Sequence, residues 1–438
     1  MVDERILAER LISYDTSRPE ELVAAAGFVK GWLESRDIEV RHHDHHGLPV
    51  LIAEVGPVAD GDRRDGDRRD GDRRGGDRGD RGDRGDASPP CVVLHGHLDV
   101  VPGRPEQFEA RVEGDRLIGR GAYDMKGGLA AMMCALKDLE RQDRVGVRLI
   151  CVPDEESEDL DERATDAMVR LGLGGHFAIT GEPTDLHIGV EAKGVLVLRI
   201  EVHGRSAHSS TPWLGDNAVL KAIDVFRAIE TLPFSRESSE VFDRPSINLG
   251  RIEGGDALNR VPDECTMSVD VRYLPGQDPA EILAQVQAIP EIDVTRTFIH
   301  PPVTVARTDP YVRALRDAVS RAVRGEVMSV GRDGASEAAA FLRAGIPAVE
   351  FGPAGAGHHG PEEWVSVASL ARYRRALCDF VRTLPMHLED AGHTRHGAGA
   401  PGQPASAAPA RPSGLATAAR PQLPAPAPTV KALDGGRR

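Results

Sequence analysis

Two hydrophobic rhythms alternate along the first part of the chain. Leu22–Leu33 repeats its apolar residues at helical spacing, and Leu129–Leu139 does so more strongly. Val50–Val55 and Cys91–Leu94 read as strands, and Val147–Val152 as a buried strand. This exchange of strand and helix predicts an α/β domain on a mixed, largely parallel sheet. The pattern changes from about His187. Val195–Val202 alternates like a half-exposed strand, and Asn217–Thr231 is helical. Ser246–Ile252 and Thr266–Tyr273 are strand-like, Pro279–Gln287 is helical, and Ile292–Phe298 closes the series. That order reads as an inserted ferredoxin-like (split β-α-β) module. Tyr311–Val323 (helix) and Ala348–Phe351 (strand) then return to the first domain. The expected organisation is a discontinuous domain over 1–186 and 300–385, interrupted by a module over 187–299.

Two segments follow neither rhythm. Asp60–Asp86 is a run of GDRRD and RGD units with few apolar residues and nearly balanced charge, so it cannot bury a core. It is expected to be a solvated loop, its RGD triplets a product of composition rather than an adhesion signal. Residues 386–438 are rich in Ala, Pro and Gly and are expected to be a disordered tail. His387, His393 and His396 at its start read as solvated rather than metal-binding.

Composition narrows the class. A chain of 438 residues, 40% hydrophobic, has room for two ordinary domains. No run approaches the ~18 to 20 apolar residues of a membrane span. The opening MVDERILAERLISYDTS is charged and amphipathic and has no apolar signal region. Five scattered cysteines without a CxxC pair suggest reduced thiols and a cytoplasmic setting, with Cys91, Cys134 and Cys151 as small core residues. A formal charge of −15 argues against nucleic-acid binding, which needs a concentrated basic surface.

Chemistry-bearing residues gather where apolar runs end. CVVLHGHLDVV places His97 and Asp99 just past a strand, where open α/β sheets collect their sites. Residues two apart in an extended segment face the same way, so Asp99 can accept the far N–H of a ligating His97. A turn with incidental polar residues would read the same, and His95 looks structural. GRGAYDMKGGLAAMMCAL sets Asp124 before a helix, either as an N-cap or as a carboxylate bridging two cations. In CVPDEESED, adjacent Glu155 and Glu156 repel each other unless a cation lies between them: one ligates, and the other serves a bound water as base. Asp154, Glu158, Asp159, Asp161 and Glu162 read as an acidic helix start. AITGEPTDL presents Glu182, and VEFGPAGAGHHGPEEWV presents His358 and His359. Each signal is weak alone. Five strand ends bearing His, Asp or Glu together form a mixed N/O set that suits zinc, cobalt or manganese.

The series HGHLDVVP, GRGAYDMKGG, PDEE, GEPT and HHGPEEWV resembles the dizinc amidohydrolases that include acetylornithine deacetylase, succinyl-diaminopimelate desuccinylase, aminoacylases and a glutamate-releasing carboxypeptidase. The resemblance covers the chain to about residue 385, apart from the Asp/Arg repeat. It implies two divalent ions, zinc foremost. His97 and Glu182 would hold one, Glu156 and a late histidine the other, and Asp124 both. Glu155 would be the base and Asp99 would orient His97. Counting back from Glu363-Trp364-Val365 selects His359 over His358. The inserted module implies a homodimer, with His208 of GRSAHSSTPW polarising the scissile carbonyl of the neighbouring subunit. Asn259 and Arg272, with Lys193 as a weaker candidate, would hold substrate carboxylate or oxyanion. Ser336-Glu337 departs from the Ser/Thr-Asp of many relatives and is similar to acetylornithine and acetyl-lysine deacetylases. The expected function is removal of an acetyl or succinyl group from an N-acyl amino acid. The alternatives are a carboxypeptidase or dipeptidase acting on short peptides, a catalytically silent metal- or ligand-binding relative, and an adhesion protein acting through the repeat.

Overall fold

The structure, a computed structural model, describes residues 4–58, 89–157 and 162–397. The Asp60–Asp86 repeat lies outside the described residues, as do Glu158, Asp159 and Asp161. Helices α1 (Glu4–Ile12) and α2 (Pro19–Glu34) come first, α2 opening on a proline whose missing N–H would have had no helical partner. Strands β1 (Val40–His45), β2 (Leu48–Val55) and β3 (Cys91–His97) follow, then the short β4 (Arg111–Glu113) and β5 (Arg116–Ile118). Next come α3 (Lys126–Asp138), β6 (Gly146–Val152), α4 (Ala164–Arg170), β7 (Phe177–Thr180) and β8 (Ile188–Ala192). A second group contains β9 (Gly194–His203), α5 (Ala218–Ile229), β10 (Ser246–Gly254), β11 (Glu264–Tyr273), α6 (Pro279–Gln287) and β12 (Ile292–His300). The chain continues through β13 (Val303–Thr304), α7 (Pro310–Val323), β14 (Ser329–Arg332), α8 (Ala338–Arg343) and β15 (Ala348–Glu350). It ends in β16 (Gly355–Ala356), β17 (Trp364–Ser366) and α9 (Val367–Gly397).

The large sheet has the order β1-β2-β6-β3-β7-β15-β8-β13, with β14 also on β8. It is parallel through its middle, β6-β3-β7-β15, and at β8-β14. The β1-β2-β6 side and the β15-β8-β13 side are antiparallel. The fold is therefore mixed α/β, with fewer parallel pairs than strand–helix alternation suggested. β3 and β6 are buried at every position, which is why they read as unbroken apolar runs. Parallel strands share a direction, so the ends of β3, β6, β7 and β15 lie along one edge of the sheet.

The second sheet, β10-β11-β9-β12, is wholly antiparallel. β11 alternates buried and half-buried residues, the signature of a sheet covered on one face. Its apolar side packs with Ala222, Val225 and Ile229 of α5 and Ile282 and Val286 of α6. Asn217 and Asp278 cap these helices by accepting their first free N–H groups. A third small sheet, β16-β17-β5-β4, is antiparallel.

The tail differs from expectation. α9 runs through Pro385 to Gly397, so residues 386–397 are helical rather than disordered. Leu384 is buried and Leu388 packs against the same core one turn later, and Glu389 pairs with Arg144 at 2.6 Å. The apolar stripe thus outlasts the one hydrogen bond that a proline removes. No described helix is long and apolar enough to cross a membrane.

Candidate metal centre

Strand ends bring the candidate ligands together. His97 ends β3 fully buried, with Nε2 at 3.0 Å from Asp124 Oδ1 and 3.6 Å from Glu182 Oε1. Asp124 Oδ2 faces His358 Nε2 and lies 3.2 Å from His359 Nε2. His359 Nε2 also meets Glu156 Oε1 at 2.9 Å. Three ligand groups result, His97–Asp124–Glu182, His97–Glu155–Glu156 and Asp124–His358–His359, each with ligand atoms within 4.8 Å of one another. Both late histidines reach Asp124, but His359 alone of the two also bonds Glu156.

The electrostatics call for cations. Burial alone would depress His97; hydrogen bonds to Asp124 and Asp99 and the charge of Glu182 instead hold its pKa well above the usual value. Burial and the neighbouring Asp124 charge push Glu182 well up. Burial opposes the charge on Asp124, yet hydrogen bonds from His358, His359 and His97 hold its pKa well below the ordinary range. Hydrogen bonds to Asp124 and Glu156 raise His359 to about 10. Buried carboxylates crowded round imidazole nitrogens are a donor set that a divalent ion would neutralise, so the residues fit such a metal.

Glu155 stands apart. Its carboxyl has no hydrogen-bond or ion-pair partner among the described residues, and burial, with the nearby Glu156 and Asp124 charges, raises its pKa to about 7. Asp99 holds this segment in place: its carboxylate accepts the backbone N–H of Glu155 at 3.2 Å and of Glu156 at 2.7 Å. The acceptor nearer to His97 Nδ1 is the Asp99 carbonyl at 3.0 Å, with the carboxylate at 3.5 Å. Asp99 therefore positions both the histidine and the glutamate pair. Asp154 is not the start of an acidic helix. It is buried and accepts the N–H of Ala164, the first residue of α4.

Glu363 organises the loop that bears Asp124. It is 1% exposed; Oε1 accepts the N–H of Tyr123 (2.9 Å) and Asp124 (3.1 Å), and Oε2 that of Gly121 (3.0 Å). Arg120 Nη1 pairs with Oε2 at 2.7 Å, while its Nη2 donates to the carbonyl of His359. His359 itself has a left-handed backbone, φ +57°, a conformation uncommon outside glycine that this contact helps to hold.

His95 and Glu337 form a buried polar layer behind the centre. His95 Nε2 bonds Thr165 Oγ1 at 2.9 Å, Thr165 also bonds Glu337, and Glu337 Oε2 lies 3.5 Å from His95 Nδ1. Burial lowers the His95 pKa to about 3, in keeping with a structural imidazole.

The remaining candidates have other partners. His208 and Asn259 are exposed on the segment that carries the second sheet, His208 bonding Ser210 and the Asn259 carbonyl accepting Ser209 N–H. Arg272 is held by Asp270 through Nε (2.9 Å) and Nη2 (3.0 Å). Lys193 pairs with Asp333 at 2.7 Å, beside a cleft of about 570 Å³ lined by Phe242, Arg244 and Gly331. Among the described residues, no hydrogen bond or ion pair links these four to the centre.

Comparison with known proteins bears on the whole arrangement. The chain is 28% identical over 306 residues to a succinyl-diaminopimelate desuccinylase of Beijerinckia indica, covering 64% of this chain and 79% of that protein. It is 32% identical over 231 residues to a lysine/ornithine hydrolase of Pyrobaculum aerophilum, covering 52% of this chain and 63% of the relative. It is 36% identical over 197 residues to a carboxypeptidase of Aspergillus terreus, covering 43% of this chain and 46% of the relative. The chain thus spans less than two thirds of the length of the latter two. An M20 family metallo-carboxypeptidase from Sulfolobus solfataricus has a similar fold, with TM-score 0.66 at 19% identity over 88% of this chain and all of that one. A dinuclear metal-binding M20 peptidase from Bacillus subtilis gives TM-score 0.59 at 16% identity over 87% and 99%. The profile of peptidase family M20/M25/M40 matches residues 93–383, a span that holds every ligand candidate from His97 to His359, and the chain belongs to that family.

Proposed function

We propose that this protein is a two-metal hydrolase that removes an acetyl or succinyl group from the nitrogen of an amino acid. The observation that carries the reading is an unpartnered Glu155 carboxyl, its pKa raised to about 7, beside a cage of imidazoles and carboxylates centred on Asp124. His97 and Glu182 would hold one ion, Glu156 and His359 the other, and Asp124 both; zinc suits this N/O set, with cobalt or manganese as substitutes. When bound, such ions acidify water and polarise a carbonyl. Glu155 takes the proton of the attacking water and delivers it to the leaving amine, a task suited to a pKa near neutrality. Asp99 keeps Glu155 and Glu156 in register through their backbone N–H groups.

His208 is assigned to the oxyanion, reaching the centre from a second copy of the chain. Its exposure, and the exposed apolar Trp213, Leu214, Leu220 and Leu258 on the same inserted segment, support a homodimer formed through that segment. Asn259, Arg272 and Lys193 are assigned to substrate carboxylate or oxyanion. A cytoplasmic setting accords with five free, buried cysteines.

The similarity to carboxypeptidases favours one second reading, cleavage of short peptides at the same centre. Assaying N-acetyl-L-ornithine, N-succinyl-diaminopimelate and short dipeptides with added zinc or cobalt separates the two: acyl release is expected, and turnover of dipeptides alone would reverse the order. Glu155→Gln should retain both metals and lose about 10²- to 10⁴-fold in kcat. Substantial remaining hydrolysis would remove Glu155 from the role of base.

A further inference from the structure

Arg332 pairs with Ala192 of β8, and its side chain reaches back toward this edge of the sheet. It ends β14, which lies parallel to β8, and its Nε donates to Glu350 Oε2 at 2.8 Å. Glu350 ends β15, buried, on the same strand-end edge as His97. Gly189 of β8 makes room for the pair. A Cβ there would lie 3.0 Å from Glu350 Cβ and 3.2 Å from Arg332 Cγ, closer than most real contacts allow. Arg332 also lies within electrostatic reach of Glu182 and of Tyr123, the neighbour of Asp124.

The cation is only half used. A guanidinium that served just to neutralise a buried carboxylate would be expected to engage it through two N–H groups. Arg332 engages Glu350 through Nε alone. Its Nη1 and Nη2 have no hydrogen-bond partner among the described residues, and the side chain is 31% exposed. The two other cations assigned to substrate anions each already face a carboxylate: Arg272 is held twice by Asp270, and Lys193 pairs with Asp333.

We infer that Arg332 is a specificity-determining residue whose two terminal nitrogens take the free α-carboxylate of the substrate, supplied by the same subunit that holds the metals. The inference rests on the amide-hydrolase reading, since an N-acyl amino acid carries that carboxylate a few bonds from the scissile carbonyl. Glu350 fixes the guanidinium plane from behind, and an end-on pair of N–H groups matches a carboxylate's two oxygens.

The test uses the full-length, zinc-loaded protein and two probes, N-acetyl-L-ornithine and its α-carboxamide. Hydrolysis kinetics and calorimetric binding are measured for wild type, Arg332→Met and Arg332→Lys. Wild type should prefer the acid. Arg332→Met should lose about 10- to 150-fold in kcat/KM on the acid, mainly through KM, and little on the amide; Arg332→Lys should restore part of the loss. Equal losses on acid and amide, or an unchanged preference, would overturn the role. If wild type hydrolyses neither probe, the deacylase reading fails for this substrate and binding decides. Acid-over-amide binding abolished by Arg332→Met sustains the inference; equal binding, or no binding of the acid, refutes it. Should Arg332→Met fail to fold with Glu350 left unpaired, Arg332→Met/Glu350→Gln removes that charge and carries the same comparison.

Discussion

Replacing Glu363 with glutamine should damage a metal centre that Glu363 does not touch through any proposed ligand bond. Its two oxygens accept four donors: Arg120 Nη1 and Gly121 N–H on one, Tyr123 and Asp124 N–H on the other. Glutamine keeps one acceptor oxygen and turns the other into a donor, so whichever way the amide faces, one pair of N–H groups meets another N–H. A lost hydrogen bond to a charged group costs about 1.5–3 kcal/mol, and breaking a buried ion pair from one side costs about 3–5 kcal/mol. These overlap, because they concern one carboxylate, so the expected total is about 3–5 kcal/mol. For a chain of this size, whose unfolding entropy is about 0.9 kcal/mol/K, that is a fall of roughly 3–5 °C in melting temperature. Melting should be measured on metal-free protein, because bound zinc adds its own stabilisation. Zinc content after dialysis reports the site itself, which should fill less well once the Asp124 loop and the Arg120–His359 contact loosen. Arg120→Met should cost less than Glu363→Gln, because it leaves the carboxylate with three backbone donors, whereas a simple ion pair would make the two comparable. A metal-free melting shift under about 2 °C with full zinc retention, or a reversed ranking, would refute the reasoning.

The other predictions concern the ligands and their protons. His359→Ala should reduce metal content from two ions to one per chain while His358→Ala retains both, because only His359 joins Glu156 to Asp124; metal analysis showing the reverse would transfer the role to His358. Zinc needs a neutral imidazole, but metal-free His359 keeps its proton up to about pH 10, so binding at pH 8 should release protons. Release should decline, and affinity level off, as pH rises through about 10, and calorimetry in buffers of different ionisation enthalpy measures it. The same raised pKa makes this histidine's contribution to metal-free stability complete below the unfolded value of 6.5 and lost as pH rises through about 10. Gly352→Ala would place a Cβ 2.3 Å from the Glu182 carbonyl, so backbone must shift at a ligand; a loss of about 1–3 kcal/mol on thermal melting is expected, together with lower zinc content. Deleting residues 60–86 should leave hydrolysis nearly unchanged, and a large loss of turnover would give the repeat a part in catalysis.

What the sequence disclosed depended on contrast. His97, Glu155 and Glu182 were visible because each interrupts or ends a run whose other members are apolar, and β3 and β6 were visible because both faces are buried. β1 was not: its residues VRHHDH alternate burial on an edge strand, so polar side chains dominate its pattern. β4, β5 and β17 have three residues each, too few to show any period. The Ala, Pro and Gly beyond residue 386 suggest a disordered tail, whereas α9 continues to Gly397 on contacts that are tertiary.

The same contrast separates the groups expected to do chemistry from those that aim them. A histidine beside an aspartate at a strand end is conspicuous; a glutamate in GPEEWV is not, although Glu363 anchors the Asp124 loop and its partner Arg120 holds His359. Asp99 was legible as a partner of His97, but its carboxylate's grip on Glu155 and Glu156 crosses from one strand end to the next and leaves no local trace. Arg332 sits in an RDG context that reads as a turn. Only the parallel register of β14 on β8, with β15 on the far side of β8, brings its guanidinium against Glu350. Ligand type follows from residue chemistry and can be read along the chain. Ligand position follows from contacts between residues far apart in sequence, such as the 239 positions between Asp124 and Glu363, and these emerge only once the sheet order is known.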